Sequence, residues 1–339
     1  MTPKIFNPYR LDETLLKENA AWLRKTAGPE ALNRFAEKLS AFIGRRYCLI
    51  TESGRVAIRS GLTALGTGKG SCVGMTNVTH PSALDETIQI GAKPELLEIS
   101  ASNLNMDPRA IESRAGKMDI FIFTPMFSTS APVGLVRSLA DDNGFPVLED
   151  ASQIIGVSSG GHPYGSFGDI SVFSLSSYKP VSYPSAKAGA LLCDDITLFR
   201  KAKKAAAAFS APDPSVAPLM ELKLSLLKKT LAGIHRNNDI YRRNLAGIMG
   251  LLIPKVGRDT QDFPILTPRK KELEKLILKL RIPLGRTYEP LHTLLPSCGD
   301  FPVSNAYAKL ALHLPSYPMM TESECRYAAG VVKGFFTHP

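Results

Sequence analysis

The sequence predicts an α/β protein with a mostly parallel central sheet. Through the first two hundred residues, short apolar segments of strand length alternate with amphipathic segments of helix length, and this alternation is typical of βαβ units. The 339 residues are enough for two domains, or for one large domain with a smaller addition. Since 44% of them are hydrophobic and no tract is of low complexity, we expect an ordinary folded protein.

The predicted elements follow one another in a regular order. Residues 31–44 predict an amphipathic helix, because apolar residues recur three and four positions apart and Gly44 supplies a C-cap. A strand "YCLITES" and a helix at 54–66 come next. Further strands are predicted at 71–77, 94–100, 119–125 and 145–151 and at "ISVFSL" within 161–180, and a helix at 135–144 separates two of them.

Beyond residue 200 the pattern changes to long basic helices and then to an α+β segment. "TPRKKELEKLILKL" predicts an amphipathic helix, and "NAYAKLALHLPSYP" passes from helix into strand into proline. The stretch "SAPDPSVAP" brings three prolines within a few residues near position 210. We therefore predict a large α/β domain over residues 1–210 and a small C-terminal α+β domain, with linking helices, over residues 211–339.

The chain is basic, with a formal net charge of +10 and clusters of lysine and arginine at 199–209, 223–229 and 268–281. Nucleic acid, an acidic membrane surface or a phosphorylated small molecule would suit this excess, and solvated helix faces explain it equally well. The basic segments carry no interleaved aromatic residues, which disfavours single-stranded nucleic acid. We expect neither nucleic acid nor a membrane among the partners.

The cysteines and the N-terminus indicate the cellular compartment. Five cysteines are scattered without CxxC spacing, so we expect neither a disulfide framework nor a metal site and interpret them as small buried residues; they are Cys48, Cys72, Cys193, Cys298 and Cys325. No run approaches the roughly 20 apolar residues of a membrane helix. The N-terminus lacks a basic head followed by an apolar region. These features predict a cytoplasmic protein.

Two glycine-containing stretches are candidates for phosphate sites. "GTGKGS" (66–71) fails the P-loop pattern at Thr63 and Gly70 and predicts a turn instead. In "TESGRVAI" (51–58) a strand ends at Ser-Gly and a helix begins at once, which offers free N–H groups and a positive helix end to an anion. An ordinary βα turn is the alternative. Arg55 is unfavourable to the helix dipole, but its guanidinium can fork onto a phosphate.

Two ionisable residues at strand ends suggest a cofactor. Asp150 closes the apolar run "VLED", and Lys179 follows the strand "ISVFSL". A partly desolvated lysine can be an amine nucleophile, although most lysines are simply exposed. A pyridoxal phosphate enzyme needs a lysine for the Schiff base, a carboxylate for the pyridine nitrogen and an anion site for the phosphate. Asp150, Lys179 and the Ser53–Gly54 turn meet these three needs.

The motifs together resemble the DegT/DnrJ/EryC1/StrS family of pyridoxal phosphate enzymes, the sugar aminotransferases of fold type I. "SGRVAIRSGLTALG" is similar to the family's Ser-Gly-Thr-x-Ala-Leu helix, "VLEDASQIIG" to its Glu-Asp-Ala-x-Gln, and "GSFGDISVFSLSSYK" to its Gly-Asp-x-x-x-Phe-Ser-x-x-x-x-Lys. "YEPLH" resembles the family's Tyr-x-Pro-Leu-His stretch, and "LPSYPMMTESE" its ending. The ordered matches cover most of residues 35–330.

The resemblance implies a role for each matching residue. Lys179 is implied as the Schiff-base lysine and proton shuttle, and Asp150 as the partner of the pyridinium. Gln153 is implied near the cofactor's phenolic oxygen. The phosphate site is implied at Ser53, Gly54, Arg55 and Ser174. His80 stands where the family places an aromatic residue over the pyridine ring, and His292 is implied to face the substrate; for both histidines a merely structural role is the alternative.

The sequence also departs from the family pattern. Arg55 replaces a Thr or Ser that helps to bind phosphate, and no Gly-x-Asn-x-Arg-Met stretch follows residue 200, where the family supplies an Asn from the partner subunit. We hypothesise that Arg55 supplies the phosphate contact that the absent segment normally gives. Extra length after Lys179 includes Lys187, which is a minor rival for the Schiff base.

The resemblance implies a pyridoxal 5'-phosphate-dependent aminotransferase, with glutamate as the amino donor and a keto group of a nucleotide-linked deoxysugar as the acceptor. It also implies a homodimer. Two alternatives stay open: another pyridoxal phosphate reaction on the same scaffold, such as elimination or decarboxylation, and a non-catalytic relative that acts as a binding or scaffold protein.

Overall fold

A seven-stranded sheet forms the centre of the larger domain in the computed structural model, which describes residues 6–128, 131–176, 179–184, 187–296 and 299–337. The first strands are β1 Tyr47–Thr51, β2 Cys72–Thr76, β3 Lys93–Leu97, β4 Ile120–Phe123 and β5 Val147–Asp150. A separate two-stranded ribbon follows, with β6 Ser158–Ser159 and β7 His162–Pro163. The sheet is completed by β8 Ile170–Ser174 and β9 Gly189–Cys193.

The strand order across the sheet is β1-β9-β8-β5-β4-β2-β3. Neighbours from β8 to β3 are parallel, whereas β9 is antiparallel to both β1 and β8. The register pairs Gly189 with Thr51 on one side and with Ser174 on the other. The carboxyl ends of β1, β5 and β8 therefore share one edge of the sheet, which is where ligands bind in open α/β sheets.

Helices cover this sheet. They are α1 Arg10–Glu18, α2 Ala20–Thr26, α3 Ala31–Ile43, α4 Gly54–Ala64, α5 Ser82–Gln89, α6 Pro108–Arg114, α7 Val133–Asn143 and α8 Ile196–Ala206. Of these, α3, α4, α7 and the basic helix α8 follow the sequence prediction, whereas α1, α2, α5 and α6 were not predicted. The predicted C-cap of α3 is confirmed, because Gly44 has a φ of 81°, which glycine adopts without steric cost. Short 3-10 helices lie at Ala115–Lys117, Pro214–Val216 and Leu291–Leu294.

A second hydrophobic core is built around an antiparallel strand pair in the C-terminal part. The strands are β10 Asp262–Leu266 and β11 Ala311–Pro315, and the helices are α9 Ala217–Ser225, α10 Leu227–Leu245, α11 Lys270–Lys279, α12 Pro302–Leu310 and α13 Glu322–Thr337. Leu273 and Ile277 of α11 and Val332 of α13 are fully buried in this core.

The domain boundary at residue 210 stays a prediction, and the helices that follow it contact both cores. Met220 and Ile234 belong to the core of the first domain, whereas Tyr241 and Leu245, at the other end of α10, belong to the second core. The linking helix α9 and the start of α10 thus pack on the large domain, and α10 contacts both cores.

The remaining expectations from composition have mixed outcomes. Cys193 and Cys325 are buried as predicted, but Cys48 and Cys72 are only half-buried, and Cys298 lies outside the described residues. Burial raises the pKa of Cys193 to about 11 and that of Cys325 to about 12. Among the described residues, none of the helices combines the length and the apolar character needed to cross a membrane.

Candidate active site

A cavity of about 970 Å³ opens at the carboxyl edge of the sheet and is lined by residues of both domains. All of the predicted site residues except His292 line it: Ser53, Gly54, Arg55, His80, Asp150, Gln153, Ser174 and Lys179. The second domain contributes Asp262, Gly285, Arg286 and Tyr288. The structure thus brings predicted residues as far apart in the sequence as Ser53 and Lys179 into one place.

The turn between β1 and α4 forms the part of the cavity suited to an anion. Ser53 is the N-cap of α4, and its side chain accepts a hydrogen bond from the backbone N–H of Val56 at 3.3 Å. Such a cap leaves further N–H groups of the first turn available, and these point out of the helix end together with its positive dipole. The sequence folds this way because Ser-Gly follows the strand directly.

Two glycines let the backbone of this turn approach its neighbours. A Cβ atom on Gly189 would lie 2.4 Å from the carbonyl carbon of Ser53, a distance that no real side chain tolerates. A Cβ atom on Gly54 would lie 3.0 Å from Cβ of Ser174. The Ser53–Gly54 turn is therefore seated directly on the ends of β8 and β9, next to the side chain of Ser174.

Asp150 and Lys179 interact electrostatically across the cavity. Burial raises the pKa of the Asp150 carboxyl, while the Ser152 N–H, which donates to Oδ1 at 3.1 Å, and the charge of Lys179 oppose this shift. Burial lowers the pKa of the Lys179 amine, and Asp262 and Asp150 oppose that shift in turn. A lysine with a lowered pKa is a better nucleophile at neutral pH.

The carboxylate next to Asp150 has a different task. Glu149 is fully buried and accepts hydrogen bonds from the backbone N–H groups of Gly165 at 2.6 Å, Phe167 at 2.9 Å and Gly168 at 3.1 Å. Because side chains alternate across a strand, Glu149 points away from the side of Asp150. Of the two adjacent carboxylates, Glu149 fixes the loop before β8 and Asp150 is left for the cavity.

Gln153 and His80 each contact the second domain. Gln153 Nε2 donates to the hydroxyl of Tyr288 at 2.6 Å, and burial raises the pKa of Tyr288 to about 12. The His80 ring meets the Tyr288 ring edge-on at 5.9 Å. Burial and the charges of Arg286, Lys179 and Arg55 lower the pKa of His80 to about 4, so its imidazole is neutral at physiological pH.

Arg55 lines the cavity, and its charge is already paired with two carboxylates. Its Nε lies 2.8 Å from Glu86 and its Nη1 lies 3.1 Å from Asp85, both in α5, and the neighbouring Arg59 also binds Glu86, at 2.5 Å. These carboxylates offset the unfavourable position of Arg55 at the positive end of α4. The phosphate contact that we predicted for Arg55 therefore has to compete with two ion pairs, and it stays a prediction.

The structure places His292 outside the cavity lining, so the substrate contact predicted for it is not supported. Its backbone N–H donates to Asn77 Oδ1 at 2.9 Å, and its ring stacks on Phe301 with centroids 5.0 Å apart. Leu291 N–H also donates to the Asn77 carbonyl, at 2.7 Å. The Leu-His motif thus anchors this segment of the second domain to the end of β2.

The lining also includes Lys187 and residues that we did not predict. Lys187 lies exposed at the cavity, whereas Lys179 is half-buried and interacts with Asp150, so the geometry favours Lys179 over its rival. Asp262, Arg286, Thr124 and Ser152 were not predicted. The one sequence signal for Asp262 was its position directly before the apolar run "FPIL". Asp150 stands at the other end of its strand, directly after "VLE".

The cavity fits pyridoxal phosphate. The hydroxyls of Thr79 and Thr124 line it and are buried without a hydrogen-bond partner among the described residues. Buried polar atoms normally have partners, so these two hydroxyls are available to hydrogen-bond a ligand in the cavity. Together with the glycine-seated turn, the buried Asp150 and the Lys179 amine, they provide groups for the phosphate, the ring nitrogen and the aldehyde of this cofactor.

Comparisons with known proteins agree with this arrangement. The model of the DegT/DnrJ/EryC1/StrS aminotransferase family matches residues 11–210. An L-glutamine:2-deoxy-scyllo-inosose aminotransferase of Streptoalloteichus tenebrarius is 25% identical over 302 residues, covering 78% of this chain and 70% of that protein. GDP-perosamine synthase of Vibrio cholerae is 21% identical over 338 residues, covering 90% of each.

The fold is shared with solved structures. NtdA of Bacillus subtilis, crystallised with the bound cofactor PMP, superposes with a TM-score of 0.84 at 21% identity, covering 98% of this chain and 86% of that one. This likeness confirms the predicted α/β fold of fold type I, with its mostly parallel sheet and smaller C-terminal part.

Proposed function

The chain belongs to the DegT/DnrJ/EryC1/StrS aminotransferase family, and we propose that it uses pyridoxal 5'-phosphate to transfer an amino group from glutamate to the keto group of a nucleotide-linked deoxysugar. The observation that carries this proposal is the shared cavity of Lys179 and Asp150, in which each group shifts the pKa of the other toward the charged state. A sugar nucleotide and a cofactor together need a large site, and the cavity of about 970 Å³ provides one.

Each residue has a defined task in the proposed reaction. When bound, pyridoxal phosphate supplies an electron sink for the bond changes at the amino-bearing carbon. Asp150 would place a negative charge beside the ring nitrogen, and Ser53, Gly54 and Ser174 would bind the phosphate with N–H and hydroxyl donors. Lys179 would hold the cofactor through Nζ, and the same atom would move a proton to and from the substrate carbon.

The substrates are proposed from the relatives and from charge. The relatives named above act on a cyclic keto polyol and on a GDP-linked sugar by their names, and the net charge of +10 suits an anionic sugar nucleotide. These names favour neither elimination nor decarboxylation nor a purely structural role. We further propose a homodimer, as the family resemblance implies; light scattering should then report twice the 36.8 kDa mass of one chain.

The visible absorbance of the purified protein with pyridoxal phosphate tests the function. We expect an absorbance band that L-glutamate or L-glutamine removes and that a keto sugar nucleotide restores. Lys179→Ala should lack the band, while Lys187→Ala should keep it. If the protein forms the band but reacts with neither glutamate nor glutamine, the proposed amino donors are wrong. If only Lys187→Ala loses the band, Lys187 and not Lys179 is the Schiff-base lysine.

A further inference from the structure

Arg286 differs from the other arginines of the cavity because no carboxylate of the described residues pairs with it. Arg55 and Arg59 are neutralised by Asp85 and Glu86. The guanidinium of Arg286 instead lies over the ring of Tyr288, 5.3 Å from its centroid, and its Nη1 lies 3.1 Å from Nε2 of His80. Arg286 is exposed, comes from the second domain and lines the cavity. Within the described part of the chain, it is a positive charge without a carboxylate partner.

The hydrogen-bond partners of His80 show which of its nitrogens carries the proton. The backbone N–H of Ser82 lies 3.1 Å from His80 Nδ1, and an amide N–H can only donate. Nδ1 therefore accepts, and the Ser82 hydroxyl at 2.5 Å contacts the same nitrogen. Because the imidazole is neutral, it holds a single proton, which this network assigns to Nε2.

His80 and Arg286 consequently face each other as two donors. Nε2–H of His80 and Nη1–H of Arg286 are at hydrogen-bond distance, and neither atom can accept. The opposite tautomer would let Nδ1–H donate to the Ser82 hydroxyl and Nε2 accept from Arg286, but it would turn Nδ1–H toward the Ser82 backbone N–H. An oxygen that accepts from both groups resolves the contact, and a negatively charged oxygen also matches the unpaired charge of Arg286.

We propose that Arg286 and His80 form a subsite for an oxyanion of the substrate, a carboxylate or a phosphate. This inference rests on the proposed function and adds the chemical group that the second domain recognises. Arg286 binds the oxygen with charge and a guanidinium fork, the Tyr288 ring holds the guanidinium in place, and the His80 Nε2–H gives the second donor. A carboxylate would come from the amino donor, and a phosphate from the sugar nucleotide.

Binding of two unreactive probes to the cofactor-loaded protein tests the subsite. Glutarate represents the donor carboxylates without an amine to react, and inorganic pyrophosphate represents the sugar nucleotide; both are titrated by calorimetry. We expect Arg286→Gln to weaken one of them by roughly tenfold or more, since a charge-assisted hydrogen bond contributes about 1.5–3 kcal/mol. Lys279→Gln, which removes an exposed positive charge from α11, serves as the matched control.

Each outcome decides the inference separately from the proposed function. Loss of glutarate binding alone assigns the subsite to the amino donor, and loss of pyrophosphate binding alone assigns it to the sugar nucleotide. The inference is overturned when neither probe binds the unchanged protein, or when Arg286→Gln and Lys279→Gln bind both probes alike. Because neither probe reacts, a protein that fails to transaminate still gives a clear answer about the subsite.

Discussion

The ammonium group of Lys223 lies 2.6 Å from Asp12 Oδ1 and 2.9 Å from the hydroxyl of Ser182, and all three residues are buried. Ser182 in turn donates from Oγ to the carbonyl oxygen of Lys179 at 2.8 Å. A buried ion pair between α1 and α9 therefore holds the backbone of the lysine that we place at the centre of the reaction.

Removing one partner of this ion pair should destabilise the folded protein. Lys223→Met leaves the Asp12 carboxylate buried without its counter-charge, so we expect the free energy of unfolding to fall by about 3–5 kcal/mol in urea denaturation. Lys228→Met, at an exposed position of α10, should change it by less than about 0.5 kcal/mol. The double variant Asp12→Leu/Lys223→Met should lose less than the sum of the single changes; full additivity would show that the two groups do not interact.

Gly189→Ala should displace the Ser53–Gly54 turn. The new methyl group would meet the backbone of Ser53 and Gly54 at 2.4–2.6 Å, and backbone cannot move aside as a flexible side chain can. We expect the dissociation constant for pyridoxal phosphate to rise at least tenfold in a fluorescence titration. Gly233→Ala in α10 meets nothing within 4 Å and should stabilise the protein by about 0.5–1 kcal/mol. Unchanged cofactor affinity in Gly189→Ala would remove the turn from the phosphate site.

Arg55→Ala and Arg59→Ala separate a phosphate contact from ion pairing. Both arginines bind the buried Glu86, so both changes weaken the same carboxylate site. If Arg55 also binds the cofactor phosphate, only Arg55→Ala should weaken cofactor binding, by roughly tenfold for one charged hydrogen bond. Equal affinities in the two variants would restrict Arg55 to its pairing with α5.

Asp262 should make the cofactor-free protein less stable as the pH rises. Burial raises the pKa of Asp262 to about 6, with Lys179 opposing the shift. An acid whose pKa is raised in the folded state contributes its full stabilisation below its unfolded pKa of about 4. This stabilisation is lost as the pH rises through about 6. Asp262→Asn should therefore raise the free energy of unfolding by on the order of 2 kcal/mol at pH 8 and leave it nearly unchanged at pH 4.

The control for this prediction is Asp300→Asn at an exposed position. We expect it to change the free energy of unfolding little at either pH. A gain from Asp262→Asn of the same size at pH 4 and pH 8 would mean that the ionisation of Asp262 is not its cause.

Asp150→Asn should keep the shape of the site and remove its buried charge. The amide cannot stabilise a protonated ring nitrogen as a carboxylate does, so we expect amino transfer to slow by roughly 10²–10³-fold, the size typical for the loss of one electrostatic group. The rate of absorbance loss after rapid mixing with glutamate measures this step. A rate within threefold of the unchanged protein would contradict the role of Asp150.

Much of the fold could be predicted because local signals and the final structure agree. Gly44 ends α3, Asp150 ends β5, and α12 passes into β11 at the point where the apolar pattern changes. Two of the elements that we missed lack such signals: α5 is short and begins after a proline, and β10 contains Pro264, which disfavours a strand assignment.

The candidate site was predictable where its residues belong to one local motif. Lys179, Asp150 and Gln153 stand at strand ends in recognisable stretches. Asp262 and Arg286 reach the cavity only through the packing of the second domain, and no spacing along the chain encodes that contact. His292 shows the opposite case, because its motif matches the family while its ring contacts the Asn77 amide and stacks on Phe301 outside the cavity lining.

The position of β9 also determines when the site can exist during synthesis. In the described sheet β1 is an edge strand that pairs with β9, the last of the seven strands to leave the ribosome. At roughly 5–20 residues per second, β1 waits on the order of ten seconds for its neighbour. In nascent chains that end before Gly189, the Ser53–Gly54 turn lacks the strand on which it packs. We therefore expect these chains to bind no cofactor, so that the cofactor binds only after the sheet is complete.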